Sequence, residues 1–82
     1  ILVPLGGGDY LAATHGNNAA ALTQLITSGR YRYVCHGHTH RQRDERLGDV
    51  HVINPGALYH TPFPTVALLE TASGAVEFIR VP

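Results

Sequence analysis

Tyr31-Arg32-Tyr33-Val34-Cys35-His36-Gly37-His38-Thr39-His40 is the stretch from which the rest of this chain is best read. Tyr31 to Cys35 is aromatic and β-branched enough for a pleated strand, and it runs directly into a cluster of histidines. The cluster therefore stands at a strand's C-terminal end. Neutral imidazole binds borderline metals such as Zn²⁺, Mn²⁺ and iron, and His38-Thr39-His40 sets two imidazoles two residues apart. In a strict strand both would point the same way. In a loop, with Gly37 allowing the backbone to turn sharply, they diverge instead. Each then reaches a different ion of a two-metal site, about 3.5–4 Å across.

Upstream of this stretch, Gly29 ends a helix expected over Ala19 to Ser28. Its apolar positions Leu22, Leu25 and Ile26 keep the i, i+3, i+4 spacing, and Asn17 or Asn18 is its cap. Ile1 to Leu5, the turn Gly6-Gly7-Gly8-Asp9 and Tyr10 to Thr14 form a hairpin that ends at His15. Strand C-termini are where ligands collect in α/β arrangements, so His15, His38 and His40 are expected to converge. Downstream, Arg41 to Arg46, a Leu47-Gly48-Asp49 turn and Val50 to Ile53 make a second hairpin, closed by Asn54-Pro55-Gly56. A loop over Ala57 to Pro64 leads to a third hairpin, Val66 to Glu70 and Val76 to Val81, turning at Thr71 to Gly74. The expectation is mixed α/β structure, one helix among about six strands, with the other half of the sandwich missing.

Length and composition point the same way. Eighty-two residues make one small domain, and the single cysteine, Cys35, makes no internal disulfide to reinforce it. With no methionine at all, Ile1 is not a ribosomal start, and the chain reads as a segment of something longer. Lys+Arg 6 against Asp+Glu 6 leaves a formal charge of +0, without the electrostatic footprint of a nucleic-acid-binding patch or an anionic-membrane binder. No apolar run approaches the roughly 18 residues of a membrane helix. A free cysteine among several histidines suits a reducing compartment, so a cytoplasmic location is expected.

Thr14-His15-Gly16, then Gly37-His38-Thr39-His40, then Asn54-Pro55-Gly56 after a hairpin resemble, in order, the C-terminal motifs of calcineurin-like metallophosphoesterases. The branch is similar to the YfcE-type phosphodiesterases, to which the retromer subunit Vps29 is related. The resemblance implies the C-terminal part of a four-layer αββα sandwich, with residues 1–82 as the C-terminal segment of a single domain whose N-terminal half is absent. It also implies two divalent metal ions, Mn, Fe, Ni or Zn with Mn favoured, and a water attacking the phosphorus of a phosphoester substrate. His15 and His38 would ligate one ion and His40 the other. The expected activity is that of a metal-dependent phosphodiesterase in the parent protein, the isolated chain being inactive and prone to self-association.

Departures from the family pattern matter as much. The Asp-x-His, Gly-Asp-x-x-Asp and Gly-Asn-His motifs expected upstream are missing: Gly48-Asp49 falls after the histidines, and Gly16-Asn17 is followed by Asn18. Ala57 stands where this branch often has Ser, with no ligand lost.

Other residues have plainer readings. Asn54, His60 and Arg41 are candidates for contacting substrate or supporting the site, Arg41 and Arg43 through bidentate bonds to phosphate or as a solvated strand face. His36 is structural, His51 an ordinary strand residue, and Cys35 a small buried hydrophobe. Two rivals remain: a non-catalytic, Vps29-like interaction scaffold, and a single-metal cupin. The cupin would use His38, His40 and Glu45, but Pro55 to His60 lacks its second motif.

Overall fold

The computed structural model describes residues 1–82. In chain order it comprises β1 (Leu2–Gly6), β2 (Asp9–Thr14), α1 (Ala19–Thr27), β3 (Tyr33–His36), β4 (Arg43–Leu47), β5 (Val50–Asn54), β6 (Thr65–Glu70) and β7 (Ala75–Arg80). This is the mixed α/β, strand-dominated class read from the sequence, with seven strands where about six were counted. Five of them form one sheet in the order β1-β2-β3-β5-β4, and β6 and β7 pair separately.

The middle of the larger sheet is parallel. Thr14 of β2 lies opposite His36 of β3, and Val34 opposite Val52 of β5. A parallel strand is covered on both faces. β5 accordingly buries all five of its residues. Alternation puts Val34, Val50 and Val52 on one face, where they form the core against Leu22, Leu25, Ile26 and Tyr31. α1 begins where Asn18 Oδ1 accepts from the Ala21 amide at 3.1 Å, so Asn18, not Asn17, is the cap. Its helical run ends one residue short of the expected Ser28, which serves as the C-terminal cap.

The opposite face carries Tyr33, His51 and Arg46, and the β6–β7 turn docks there. Tyr33 donates its hydroxyl to the Thr71 carbonyl (3.1 Å), and Arg46 Nη2 donates to the Gly74 carbonyl (3.2 Å). The sheet is therefore flanked by a helix on one side and a hairpin on the other.

Two strand starts differ from the sequence reading by two residues, while the other strand ends agree or shift by one. β3 starts at Tyr33, not Tyr31, because Tyr31 turns towards the helix and joins the apolar cluster there. β4 starts at Arg43, not Arg41, since the residues after His40 are still in the loop and the ladder begins only at the Arg43–Asn54 pair. No helix is long and apolar enough to cross a membrane.

Candidate metal centre

The parallel pairing of β2 with β3 brings their C-terminal ends side by side, and both ends lead into histidines. The Gly37 amide donates to the His15 carbonyl at 3.0 Å, continuing the ladder one step beyond the last strand pair. The approach is tight enough to need glycine at Gly16. Its φ is +87°, and a Cβ there would stand 3.2 Å from His36 Cβ and 3.3 Å from His36 Nδ1.

Within this frame His15 Nε2 and His38 Nδ1 face each other at 3.3 Å, with ring centroids 5.1 Å apart and planes nearly perpendicular. Both side chains are exposed. The backbone at His38 and His40 is left-handed, with φ of 71° and 61°, so the His-x-His segment is a loop and not an extension of β3. For non-glycine residues such conformations cost of order 1–3 kcal/mol each and gather at functional sites. His40 does not join the first two: no three His, Cys, Asp or Glu side chains come together in a metal-binding group.

The donor set fits a borderline divalent metal at one pair. Two imidazole nitrogens bound to one tetrahedral ion at about 2.0–2.1 Å lie about 3.3–3.4 Å apart, the separation of His15 Nε2 and His38 Nδ1. Both residues lie at the surface, as a site open to an ion requires.

Behind the pair stands His36, only 6% exposed. Arg43 Nη1 lies 3.2 Å from His36 Nε2, and His36 Nδ1 lies 3.2 Å from the Gly37 carbonyl. Guanidinium only donates. His36 Nε2 must therefore accept, and Nδ1 carries the proton and donates to Gly37. The structural role read for His36 agrees with this arrangement. Arg43 also donates through Nε to Glu45 Oε1 at 2.6 Å, so its guanidinium is engaged by His36 and Glu45. Arg41 is exposed beside His40.

Asn54 is fully buried and reaches the histidine loop, with Nδ2 3.2 Å from the Gly37 carbonyl and 3.1 Å from Thr39 Oγ1. His60 lies exposed in the Ala57–Pro64 loop with φ of 54° and its ring against Tyr59. Cys35 lies in β3 half-buried, and burial pushes its thiol pKa up, as suits a small apolar side chain and not a thiolate ligand. The largest cleft, about 630 Å³, is elsewhere, between Asp9, Ile26, Arg30, Tyr31, Arg32 and Asp49.

Sequence reasoning missed the pairing of His51. That residue is 4% exposed, and its Nε2 lies 2.5 Å from Asp44 Oδ1. Asp44 and His51 are diagonal neighbours across the β4–β5 hairpin, Arg46 standing directly opposite His51 and Asp44 opposite Ile53, a relation that sequence spacing alone does not reveal.

Comparison with known proteins accords with this geometry. Residues 2–74 match the model of the calcineurin-like phosphoesterase superfamily domain. Phosphodiesterase MJ0936 of Methanocaldococcus jannaschii is 45% identical over 60 residues, which are 71% of this chain and 36% of that protein. The structure of a novel archaeal phosphodiesterase superposes with a TM-score of 0.88 at 36% identity, covering 99% of this chain and 50% of its own. Vps29 from Entamoeba histolytica complexed with Zn²⁺ shares the fold at a TM-score of 0.63 and 20% identity, with 99% and 58% covered. The chain thus spans roughly a third to just over half the length of these relatives. With the motif order, the parallel strand ends and the sequence match all in agreement, the chain belongs to the calcineurin-like phosphoesterase superfamily.

Proposed function

We propose that residues 1–82 form the C-terminal segment of a metal-dependent phosphodiesterase and contribute imidazole ligands to a site for two divalent metal ions. The observation that carries this reading is the 3.3 Å approach of His15 Nε2 and His38 Nδ1 at the ends of adjacent parallel strands. Membership of the phosphoesterase family and the relatives described as phosphodiesterases supply the reaction class. His15 and His38 hold one ion, and His40, on its own left-handed turn of the loop, serves the second. Manganese is favoured, with iron, nickel and zinc compatible with the same ligands. Such ions act as Lewis acids on a phosphoester and lower the pKa of the water that attacks phosphorus.

The chain's own groups do the remaining work. His15 and His38 offer neutral lone pairs, which is why their contact must be free of protons when an ion is held. Arg41, exposed beside His40, reaches phosphate oxygens by charge-assisted hydrogen bonds, and His60 borders the substrate from its own loop. No carboxylate joins the histidines, so the acidic ligands that balance two dications come from another part of the parent protein. That part also covers the β6–β7 hairpin and the loop leading into it, where Leu68 and Phe63 respectively stand 62% and 59% exposed. The chain by itself therefore binds at most one ion weakly, has no turnover and self-associates.

Mn²⁺ titration followed by paramagnetic broadening of the imidazole signals tests the ligands, alongside an aryl phosphodiester assay and sedimentation of the chain. Broadening is expected at His15 and His38, without hydrolysis. Absence of broadening there overturns the ligand assignment. Two tight sites, or a stable monomer with turnover, overturns the segment reading. In the parent, hydrolysis that survives thorough chelation overturns metal dependence, and no hydrolysis in the presence of metal favours the scaffold alternative.

A further inference from the structure

We propose that Asn54 and Thr39 together are the positioning residues of the histidine site, a cross-brace that holds His38 in the orientation needed to face His15. The inference rests on the reading of His15 and His38 as ligands to the metal, and adds what fixes their geometry.

Three observations lead to it. His38 and His40 both occupy left-handed backbone conformations, with φ of 71° and 61°, uncommon for residues other than glycine although histidine adopts them more readily than most. The residue between them is Thr39, whose hydroxyl oxygen accepts from Asn54 Nδ2 at 3.1 Å and from the Arg41 amide at 3.3 Å. Asn54 is 0% exposed and uses its whole carboxamide. Nδ2 donates to Thr39 Oγ1 and, at 3.2 Å, to the Gly37 carbonyl, while Oδ1 accepts from the Gly56 amide at 3.0 Å.

The amide orientation follows from this pattern. A backbone N–H can only donate, so the atom facing Gly56 is the oxygen, and the atom facing the Gly37 carbonyl is the nitrogen. No other side chain of this size offers two donors on one side and an acceptor on the other in a neutral group. Aspartate would set a carboxylate against the Gly37 carbonyl, and leucine would take the side-chain acceptor from the Gly56 amide and one of several donors from the Gly37 carbonyl and Thr39 Oγ1.

The brace extends the β3–β5 pairing, which ends at Cys35 and Ile53, into the histidine loop. Asn54 is the last residue of β5, two strands away from β2, and it grips the loop on both sides of His38. His15 is held independently, through the bond from the Gly37 amide to its carbonyl. Gly37 is therefore the shared anchor: its amide donates to the His15 carbonyl, its carbonyl accepts from Asn54, from the Thr39 amide at 2.9 Å and from His36 Nδ1, and His38 follows immediately. Rotation of His38 away from His15 requires the loop to release Thr39. The brace thus sets the 3.3 Å spacing without touching an ion or a substrate.

The test uses the whole chain with Asn54→Ala, Thr39→Val and Thr39→Ser. Thr39→Val keeps the shape and the Asn54 bonds to Gly37 and Gly56, so it isolates the brace if Asn54→Ala fails to fold. Backbone chemical shifts and scalar couplings of His38 and His40 report their φ angles without any metal. Calorimetric titration with Zn²⁺ alone reports the site. The expected result is loss of the left-handed signature at His38 and His40 in Thr39→Val and Asn54→Ala, with Zn²⁺ affinity about 10–100-fold lower. Thr39→Ser should restore both. Unchanged φ angles and affinity in folded Thr39→Val overturn the proposal. If the φ angles change but the unsubstituted chain binds no Zn²⁺, the brace stands and the ligand reading falls.

Discussion

The two ends of the central sheet treat histidine in opposite ways. At one end His15 and His38 lie exposed, with ring nitrogens in mutual hydrogen-bond contact on loops that depart from the strands. Towards the other, His51 is sealed within β5, with Nε2 against Asp44 and no partner for its buried Nδ1. The first arrangement is exposed and can be opened by an ion that displaces the proton between the rings. The second commits the imidazole to the fold. Histidine count says nothing about this difference; what separates the two is whether the neighbouring strand supplies a carboxylate or a second imidazole.

The largest effect should come from breaking the exposed end. His38→Ala or His15→Ala should lower Mn²⁺ or Zn²⁺ affinity by more than the about 10–100-fold that losing an outer hydrogen bond typically costs. Either change should leave the denaturant midpoint near its original value, because both side chains are exposed. His51→Ala should do the reverse. It removes a buried ring and leaves Asp44 unpaired, so a loss of about 1–3 kcal/mol in urea unfolding is expected, with unchanged metal affinity. If His51→Ala weakens metal binding as much as His38→Ala does, the contrast between the two ends is lost.

Gly16→Ala joins the two kinds of effect. The methyl group must occupy space against His36 and adopt φ near +87°, at a cost of about 1–3 kcal/mol, and the His15 loop should be pushed from His38. A parallel fall in stability and metal affinity is the expected outcome. The smallest effect concerns Cys35. Burial favours its neutral thiol, so folded chain should react with alkylating agents more slowly than unfolded chain at the same mildly alkaline pH. The linked stability is present below the ordinary thiol range and declines as pH rises through it, because the unfolded state loses its proton first. Equal alkylation rates would show that Cys35 is not shielded.

Much of this was legible in the residues themselves. The three hairpins, the helix and the position of the histidines at a strand end follow from periodicity and turn chemistry, since each is a local property of the chain. The parallel order β2-β3-β5 is not local; neighbours there are separated by a helix or a whole strand, and only the motif order hinted at it. The bonds of Arg43 to His36 and of His51 to Asp44 were hidden for the same reason. Both depend on which face of β4 each charge occupies, and a shift of one residue would exchange them. The role of Asn54 was visible only as a residue in a motif, because its partners lie in a loop 15 to 17 residues away.

The alignment of β2 with β3 also governs where the chain can change length. Thr14 sits opposite His36, and one further step sets the His15 carbonyl on the Gly37 amide. An added or deleted residue between Leu11 and His15 would turn His15 to the other face of the sheet while leaving most of the hydrophobic content intact. The turn at Gly7 and Gly8 has open space around both glycines, and a tip of that kind accepts insertions with little loss. Natural and engineered length variation should therefore be confined to the far end of this hairpin, within a few residues of a point where none is allowed.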